Sequence, residues 1–327
     1  SSTMLILGLQ GSPRKGGNTD TLLASFLEKA GQAGAAVKTI QVARAGIVPC
    51  KGCGYCETHG TCVIADDPMS TEIFGLLRVA DLVVAATPVY FYGISAQLKV
   101  LIDRCQTLWS RKYVYKLKDP LAATRKGVLF SVAASQGRQL FDGIHLTTKY
   151  FFDAIDAQFS HALVYRGIES KGAIRHHEGL ATDIDETLQK TVLPFVTRKR
   201  VLFISPTGAC RAPMAAAMAQ GRFGDRIRTG FAARRPAPEL SSAMVRSMHR
   251  VAVDMGYRKP QSIERALSAT TPNLTIAIGD GVEKIRVPGL KTVQWSLPEP
   301  ASSDDAAMDR LRLAMESHVD TLMALLE

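Results

Sequence analysis

The chain has 327 residues, 46% of them hydrophobic and 21% charged, with a formal net charge of +10. That length and composition allow about two ordinary globular units. No apolar run approaches the roughly 20 residues that span a bilayer, and the N-terminus lacks the charged-then-apolar pattern of a secretory signal, so a cytoplasmic setting without a membrane partner is expected. Lys and Arg are scattered through both halves, with no long basic run and no interleaved aromatics, which argues against nucleic acid as the partner. The residues before Met4 are assigned no structural role.

"MLILGLQGSPRKGGNTDTLLASFLEKA" (4–30) opens with a short apolar run and a glycine-rich loop. It continues with Leu22, Leu23, Phe26, Leu27 and Ala30 at helical spacing, a strand, loop, helix pattern with Asn18 or Thr19 as the N-cap. In "GSPRKGGNT" small residues let the backbone approach a ligand, Ser12, Asn18 and Thr19 offer donors, and Arg14 and Lys15 add positive charge. Such a loop holds a phosphate at a helix start or is a tight turn with solvated cations. After the strand "VKTIQV" (37–42) come Cys50, Cys53, Cys56 and Cys62, four of the six cysteines. In a reducing compartment such density means metal or redox chemistry more often than disulfides.

Further strands are expected at "ADLVVAATPVY" (80–90), "KGVLFSVAAS" (126–135) and "AQFSHALVYRGI" (157–168), separated by helical stretches, which predicts a doubly wound parallel sheet covered on both faces. Five strands in this order suggest a flavodoxin-like sheet, order 2-1-3-4-5. Ligands of such sheets collect outside the carboxyl ends of the strands. There the third strand delivers Pro88, Val89, Tyr90, Phe91, Tyr92 and Gly93. Three aromatics in a row cannot all face the core, so at least one points outward. A helix over 183–196 and the basic turn "TRKR" lead into a second, smaller α/β unit, giving expected domains 1–196 and 197–327. The second unit is expected to hold a strand, loop, helix arrangement over 201–223, a helix across 239–256, strands at 273–279 and 291–295, and a last helix ending near Leu326.

"GSPRKGGNT", the cysteine run followed by "DD", and "TPVYFYGISAQLKVLIDR" together resemble the NAD(P)H-dependent FMN reductase superfamily, specifically its iron–sulfur flavoproteins, over about residues 4–196. The resemblance implies that Ser12, Arg14, Lys15, Asn18 and Thr19 bind the FMN phosphate and that Pro88 to Gly93 border the flavin ring. The segment "AASQG", Ala133 to Gly137, with Ser135, Gln136 and Gly137, would close its other side. No side-chain acid or base is assigned, because the flavin carries the chemistry. NAD(P)H is the implied electron donor, a small molecule or protein the partner, and a homodimer or homotetramer the assembly.

The spacing C-x2-C-x2-C-x5-C lets one loop fold around a [4Fe–4S] cubane, each thiolate binding one iron. It resembles the iron–sulfur flavoprotein motif at all four positions. Structural zinc sites usually pair two C-x2-C knuckles across a longer stretch, so iron fits better, with four plain loop thiols as the alternative. Cys105 reads as a buried thiol, and His176 and His177 as solvated.

"VLFISPTGACRAPMAAAM" (201–218) resembles the start of the low-molecular-weight tyrosine phosphatases and related arsenate reductases, with Ser205 at the nucleophilic cysteine position and Arg211 at the anion-binding arginine. Cys210 falls on their second cysteine, and Glu299, in "WSLPEP", replaces the general-acid aspartate. A serine hydroxyl without a base beside it does not attack phosphate, so an inactive domain is expected. Its loop, with Ser205, Gly208, Cys210 and Arg211, either still binds an oxyanion or is only structural. The combined reading is an FMN-dependent oxidoreductase or electron-transfer flavoprotein with a [4Fe–4S] cluster, fused to a degenerate phosphatase-like domain. Its alternatives are a cluster-free NAD(P)H-dependent FMN or quinone reductase and an oxyanion- or redox-sensing protein.

Overall fold

The computed structural model describes residues 4–280 and 285–327; the residues before Met4 lie outside it. The chain divides into two compact units, one of Met4–Lys116 and Thr124–Val196, the other of Leu117–Ala123 and Thr197–Glu327.

The N-terminal unit runs β1 (Leu5–Gln10), α1 (Asn18–Gln32), β2 (Ala36–Gln41), α2 (Tyr55–His59), α3 (Phe74–Val79), β3 (Leu82–Pro88), α4 (Ala96–Arg104), α5 (Gln106–Tyr113), β4 (Lys126–Val132), α6 (Asp142–Ala154), β5 (Gln158–Tyr165), α7 (Leu180–Thr191) and α8 (Leu193–Val196). Its strands pair in parallel in the order β2-β1-β3-β4-β5, the flavodoxin-like arrangement. The central strands are buried on both faces and therefore read as unbroken apolar runs, whereas β2 lies at the edge and is mostly exposed. On one face α1 and α7 pack Leu22, Phe26, Leu27, Ile184 and Leu188 against Ile6, Val84 and Phe130. Phe26 meets Phe130 edge-on at 5.2 Å. The ladders pair Gln10 with Ala86 and Pro88 with Val132, which aligns the carboxyl ends of β1, β3 and β4. The loops that follow these strands gather at that edge.

The second unit contains β6 (Lys199–Ser205), α9 (Arg211–Phe223), β7 (Ile227–Ala233), α10 (Ser242–Arg250), α11 (Ile263–Ala269), β8 (Leu274–Gly279), β9 (Thr292–Ser296) and α12 (Asp305–Asp320), its strands parallel in the order β7-β6-β8-β9. β7 and α11 are additions to the elements expected from sequence. The helix expected across 239–256 stops at Arg250, because Ala252 takes φ 63° and the chain turns extended. Val253 then pairs with Lys118, whose N–H donates to Ala252 O at 2.8 Å. The segment Leu117–Ala123 thus belongs to this unit, and a continuous division at residue 196 leaves it out. Asp119 anchors it through a buried ion pair with Arg258 at 2.9 Å.

Candidate functional site

A cleft of about 500 Å³ lies at the carboxyl edge of the five-stranded sheet. Ser12, Arg14, Lys15, Gly17, Asn18 and Thr19 line it after β1, Pro88, Val89 and Tyr90 after β3, and Val132, Ala133 and Ala134 after β4. Ile168, Glu169 and Lys171, from the loop after β5, complete the lining. One end is polar and cationic and the other apolar with one aromatic ring, the donor pattern of an anionic group joined to a flat ring system. The N-cap of α1 is Gly17, in extended backbone and with no side-chain cap bond, rather than Asn18 or Thr19. A 15-residue helix therefore meets the cleft with a first turn that no side chain caps, a suitable seat for phosphate.

Asn18 is otherwise employed. Its Nδ2 donates to Ser170 O at 3.0 Å and Ile168 O at 3.4 Å, and its Oδ1 accepts from Ile174 N at 3.0 Å. These bonds fasten the loop after β5 to the start of α1 and carry Lys171 to the phosphate loop, where a Cβ on Gly16 would stand 3.3 Å from Lys171 Cε. Lys171 is a third cation for the polar end. Nothing in its local sequence signals this, since the pairing spans about 150 residues. Gln10, wholly buried at the end of β1, accepts from Ser12 N and leaves its Nε2 buried and without a hydrogen-bond partner beside the loop.

The remaining residues expected at the flavin stand outside the cleft lining: Phe91, Tyr92, Gly93, Ser135, Gln136 and Gly137. Tyr90 and Gly93 exchange both backbone hydrogen bonds, at 3.0 and 2.9 Å, and the residues between them, Phe91 and Tyr92, take φ 49° and 61°. This is the geometry of a tight two-residue turn usually built from Asn or Gly. Bulky residues there carry backbone strain of about 1–2 kcal/mol each. Phe91 points fully into solvent, whereas Tyr92 folds back over Gly137, where a Cβ would lie 2.5 Å from its hydroxyl oxygen. Of the segment Ala133 to Gly137, the first two residues line the cleft.

A second cavity, of about 170 Å³, is rimmed by Cys50, Cys53, Cys56 and Cys62 together with Arg104, Gln106 and Thr107. Cys50 and Cys53 are exposed, Cys62 half-buried and Cys56 buried. Gly52 and Gly54 take φ 64° and 72°, left-handed turns that an L side chain resists, and so wind the loop between successive cysteines. Gly52 N donates to Cys50 Sγ and Ser110 Oγ to Cys56 Sγ, both at 3.4 Å. Among the described residues, no three His, Cys, Asp or Glu side chains converge on a single-ion position. A four-iron cluster asks for a different arrangement, four thiols spread around a cavity with each sulfur on its own iron. The four thiols at one rim, two of them accepting hydrogen bonds, suit that group. Burial pushes the Cys105 thiol up to about 12, as expected of an inert core cysteine.

In the second unit Ser205 ends β6, and Gly208 turns the following loop at φ 64°. Arg211 opens α9 and donates from Nη1 to Leu297 O at 2.9 Å, with Glu299 3.7 Å from its Nη2. Ser205 Oγ and Arg211 Nε are buried without hydrogen-bond partners. Cys210 is 1% exposed, and burial followed by the Glu299 charge pushes its thiol far up, so it supplies no thiolate. His177 lies in its loop against the edge of Tyr165.

Residues 4–156 match the family described as NADPH-dependent FMN reductase. An iron–sulfur flavoprotein of Methanosarcina thermophila is 39% identical over 115 residues, which cover 35% of this chain and 59% of the relative. One from Methanocaldococcus jannaschii is 40% identical over 105 residues, covering 32% and 53%. The chain spans about half the length of the curated relatives it matches. Among solved structures, an arsenate reductase from Archaeoglobus fulgidus is 18% identical, with coverage of 38% of this chain and 98% of its own and a TM-score of 0.35. No helix among the described residues is long and apolar enough to cross a membrane. By the match over residues 4–156 and the strand order 2-1-3-4-5, the N-terminal unit of the chain is similar to the NADPH-dependent FMN reductase family.

Proposed function

We propose that the N-terminal unit is an FMN-dependent oxidoreductase that also carries a [4Fe–4S] cluster on Cys50, Cys53, Cys56 and Cys62. The observation that carries this reading is the presence, in one unit, of a cleft with a cationic and an apolar end and a cavity rimmed by four thiols. Bound FMN supplies hydride and one-electron chemistry. Ser12, Arg14, Lys15, Thr19 and Lys171 hold its phosphate together with the first turn of α1, while Asn18 keeps the loop of Lys171 in place. Pro88, Val89, Tyr90 and Val132 to Ala134 border the ring and exclude water from its faces. No side chain is assigned as acid or base. NAD(P)H is the proposed electron donor, a small molecule or protein the acceptor, and a homodimer or homotetramer the working assembly.

Titration of flavin-free protein with FMN and with riboflavin tests the phosphate end. Charge-assisted hydrogen bonds contribute about 1.5–3 kcal/mol each, so FMN is expected to bind at least about tenfold more tightly, and Lys171→Met to narrow that gap. Equal affinities would remove the proposed phosphate seat. Bleaching of the bound flavin by NADPH or NADH then identifies the donor.

For the second unit we favour an oxyanion seat without turnover, on the strength of the buried, unpartnered Ser205 Oγ and Arg211 Nε at the start of α9. Phosphate or arsenate is expected to raise the melting temperature of wild-type protein but not of Arg211→Met. A melting temperature unmoved by either anion would leave the loop purely structural.

A further inference from the structure

Arg104, the last residue of α4, is 1% exposed and lines the cavity rimmed by the four cysteines. Its Nη1 donates to Val48 O at 2.7 Å and Asp67 Oδ2 at 2.6 Å. Its Nη2 donates to Asp67 Oδ1 at 3.0 Å and to Ile64 O and Ser70 Oγ, both at 3.1 Å. Val48 stands two residues before the first cysteine of the loop and Ile64 two residues after the last, so one guanidinium ties the two ends of the cysteine loop together. Asp67 reinforces the closure by accepting from Val48 N at 3.0 Å and Ser70 N at 3.2 Å.

The fifth donor of the fork is different: Nε is buried and has no hydrogen-bond partner. Leaving a buried donor of a charged group unused is costly, and native structures do so where another group completes the site. The Asp67 carboxylate accepts from both Nη atoms and balances the charge of the buried guanidinium.

We propose that Arg104 is a positioning residue for the metal-bound sulfur of Cys62, its Nη edge clamping both ends of the cysteine loop and its Nε–H reserved for that sulfur. This inference rests on the iron–sulfur reading above. Reduction of a cluster adds a negative charge, and a fixed cation with an N–H donor beside one of its sulfurs favours the reduced state. Arg104 therefore raises the reduction potential of the site as well as shaping it.

The test uses full-length protein and two variants. Arg104→Gln combined with Asp67→Asn removes both members of the ion pair at once, so no buried carboxylate is left uncompensated. Arg104→Lys keeps the charge but loses the fork. Hydrogen exchange of residues 48–64 in iron-free protein is expected to quicken about tenfold or more in both variants, because each loses loop-closing hydrogen bonds of about 1 kcal/mol apiece. With iron loaded, the cluster potential is expected to shift negative in the double variant and to stay nearer the wild-type value in Arg104→Lys, with FMN content unchanged. The same cluster potential in iron-loaded wild type and double variant, or the same exchange in their iron-free forms, would overturn the role of Arg104 alone. Wild-type protein that binds FMN but never iron would overturn the iron–sulfur reading, and the role of Nε with it.

Discussion

Asp67→Ala is expected to destabilise the N-terminal unit by about 3–5 kcal/mol, the usual cost of removing one member of a buried ion pair and stranding the other. The side chains of Arg104 and Asp67 are 0% and 5% exposed and meet at 2.6 Å, so solvent cannot replace the lost partner. Asp67 also accepts from the N–H groups of Val48 and Ser70, which alanine leaves unbonded. Against a typical domain stability of about 5–15 kcal/mol, this loss is large enough to be seen directly as a lowered denaturation midpoint. Asp67→Asn, which preserves the shape and one acceptor, should fall between wild type and alanine.

The same pair sets a pH dependence. Burial would raise the Asp67 carboxyl, but the hydrogen bonds from Arg104, Val48 and Ser70 and the guanidinium charge prevail and hold it below its ordinary value. A folded pKa below the unfolded one means that the stabilisation is complete above the unfolded carboxyl's pKa of about 3.9 and is lost as pH falls through the lower folded value. Wild type should therefore lose more stability than Asp67→Asn as pH is lowered below about 4. Parallel acid denaturation curves for the two proteins would contradict the assignment.

Cys53→Ser combined with Cys56→Ser is expected to take the iron content from about four per FMN to none while leaving the FMN stoichiometry intact. Serine offers a hard, protonated hydroxyl where iron–sulfur chemistry needs soft thiolates. The flavin should survive because none of the four cysteines lines the cleft proposed for FMN. Cys105→Ala is the matching control: this thiol is buried outside the cavity lining, and its loss should leave iron in place. Iron retained in the double serine variant would move the cluster away from this loop.

The parallel sheet of the N-terminal unit was legible because its central strands are buried on both faces and carry no polar interruption, as in the run from Leu82 to Ala86. β7 was not, since its inward positions include Thr229, a polar residue whose burial is made good by Gln220 and by the carbonyl of Ala216. A threonine satisfied by partners on a neighbouring helix looks, in sequence, like a loop threonine. The segment Leu117–Ala123 escaped for a similar reason. Its place in the second unit depends on Asp119 meeting Arg258, 139 positions away, which no local pattern announces.

The candidate site divides along the same line. Ser12, Arg14, Lys15 and Thr19 were readable from a loop that carries its own donors, and the four cysteines from their spacing. Asn18 was picked out as a donor to the ligand, yet its amide is spent on the loop after β5, and Lys171 enters the cleft only through that contact. Asp67 and Arg104 each closed a recognisable motif, the "DD" pair and the end of α4, but only the fold joins them around the cysteine loop.

The most direct measurement is iron and acid-labile sulfide per FMN on protein purified without oxygen, together with its visible spectrum before and after reduction. About four of each per flavin, with broad cluster absorbance that bleaches on reduction, is the predicted result. FMN bound in full with neither iron nor sulfide would contradict the account, leaving Cys50, Cys53, Cys56 and Cys62 as loop thiols on a simple flavin reductase.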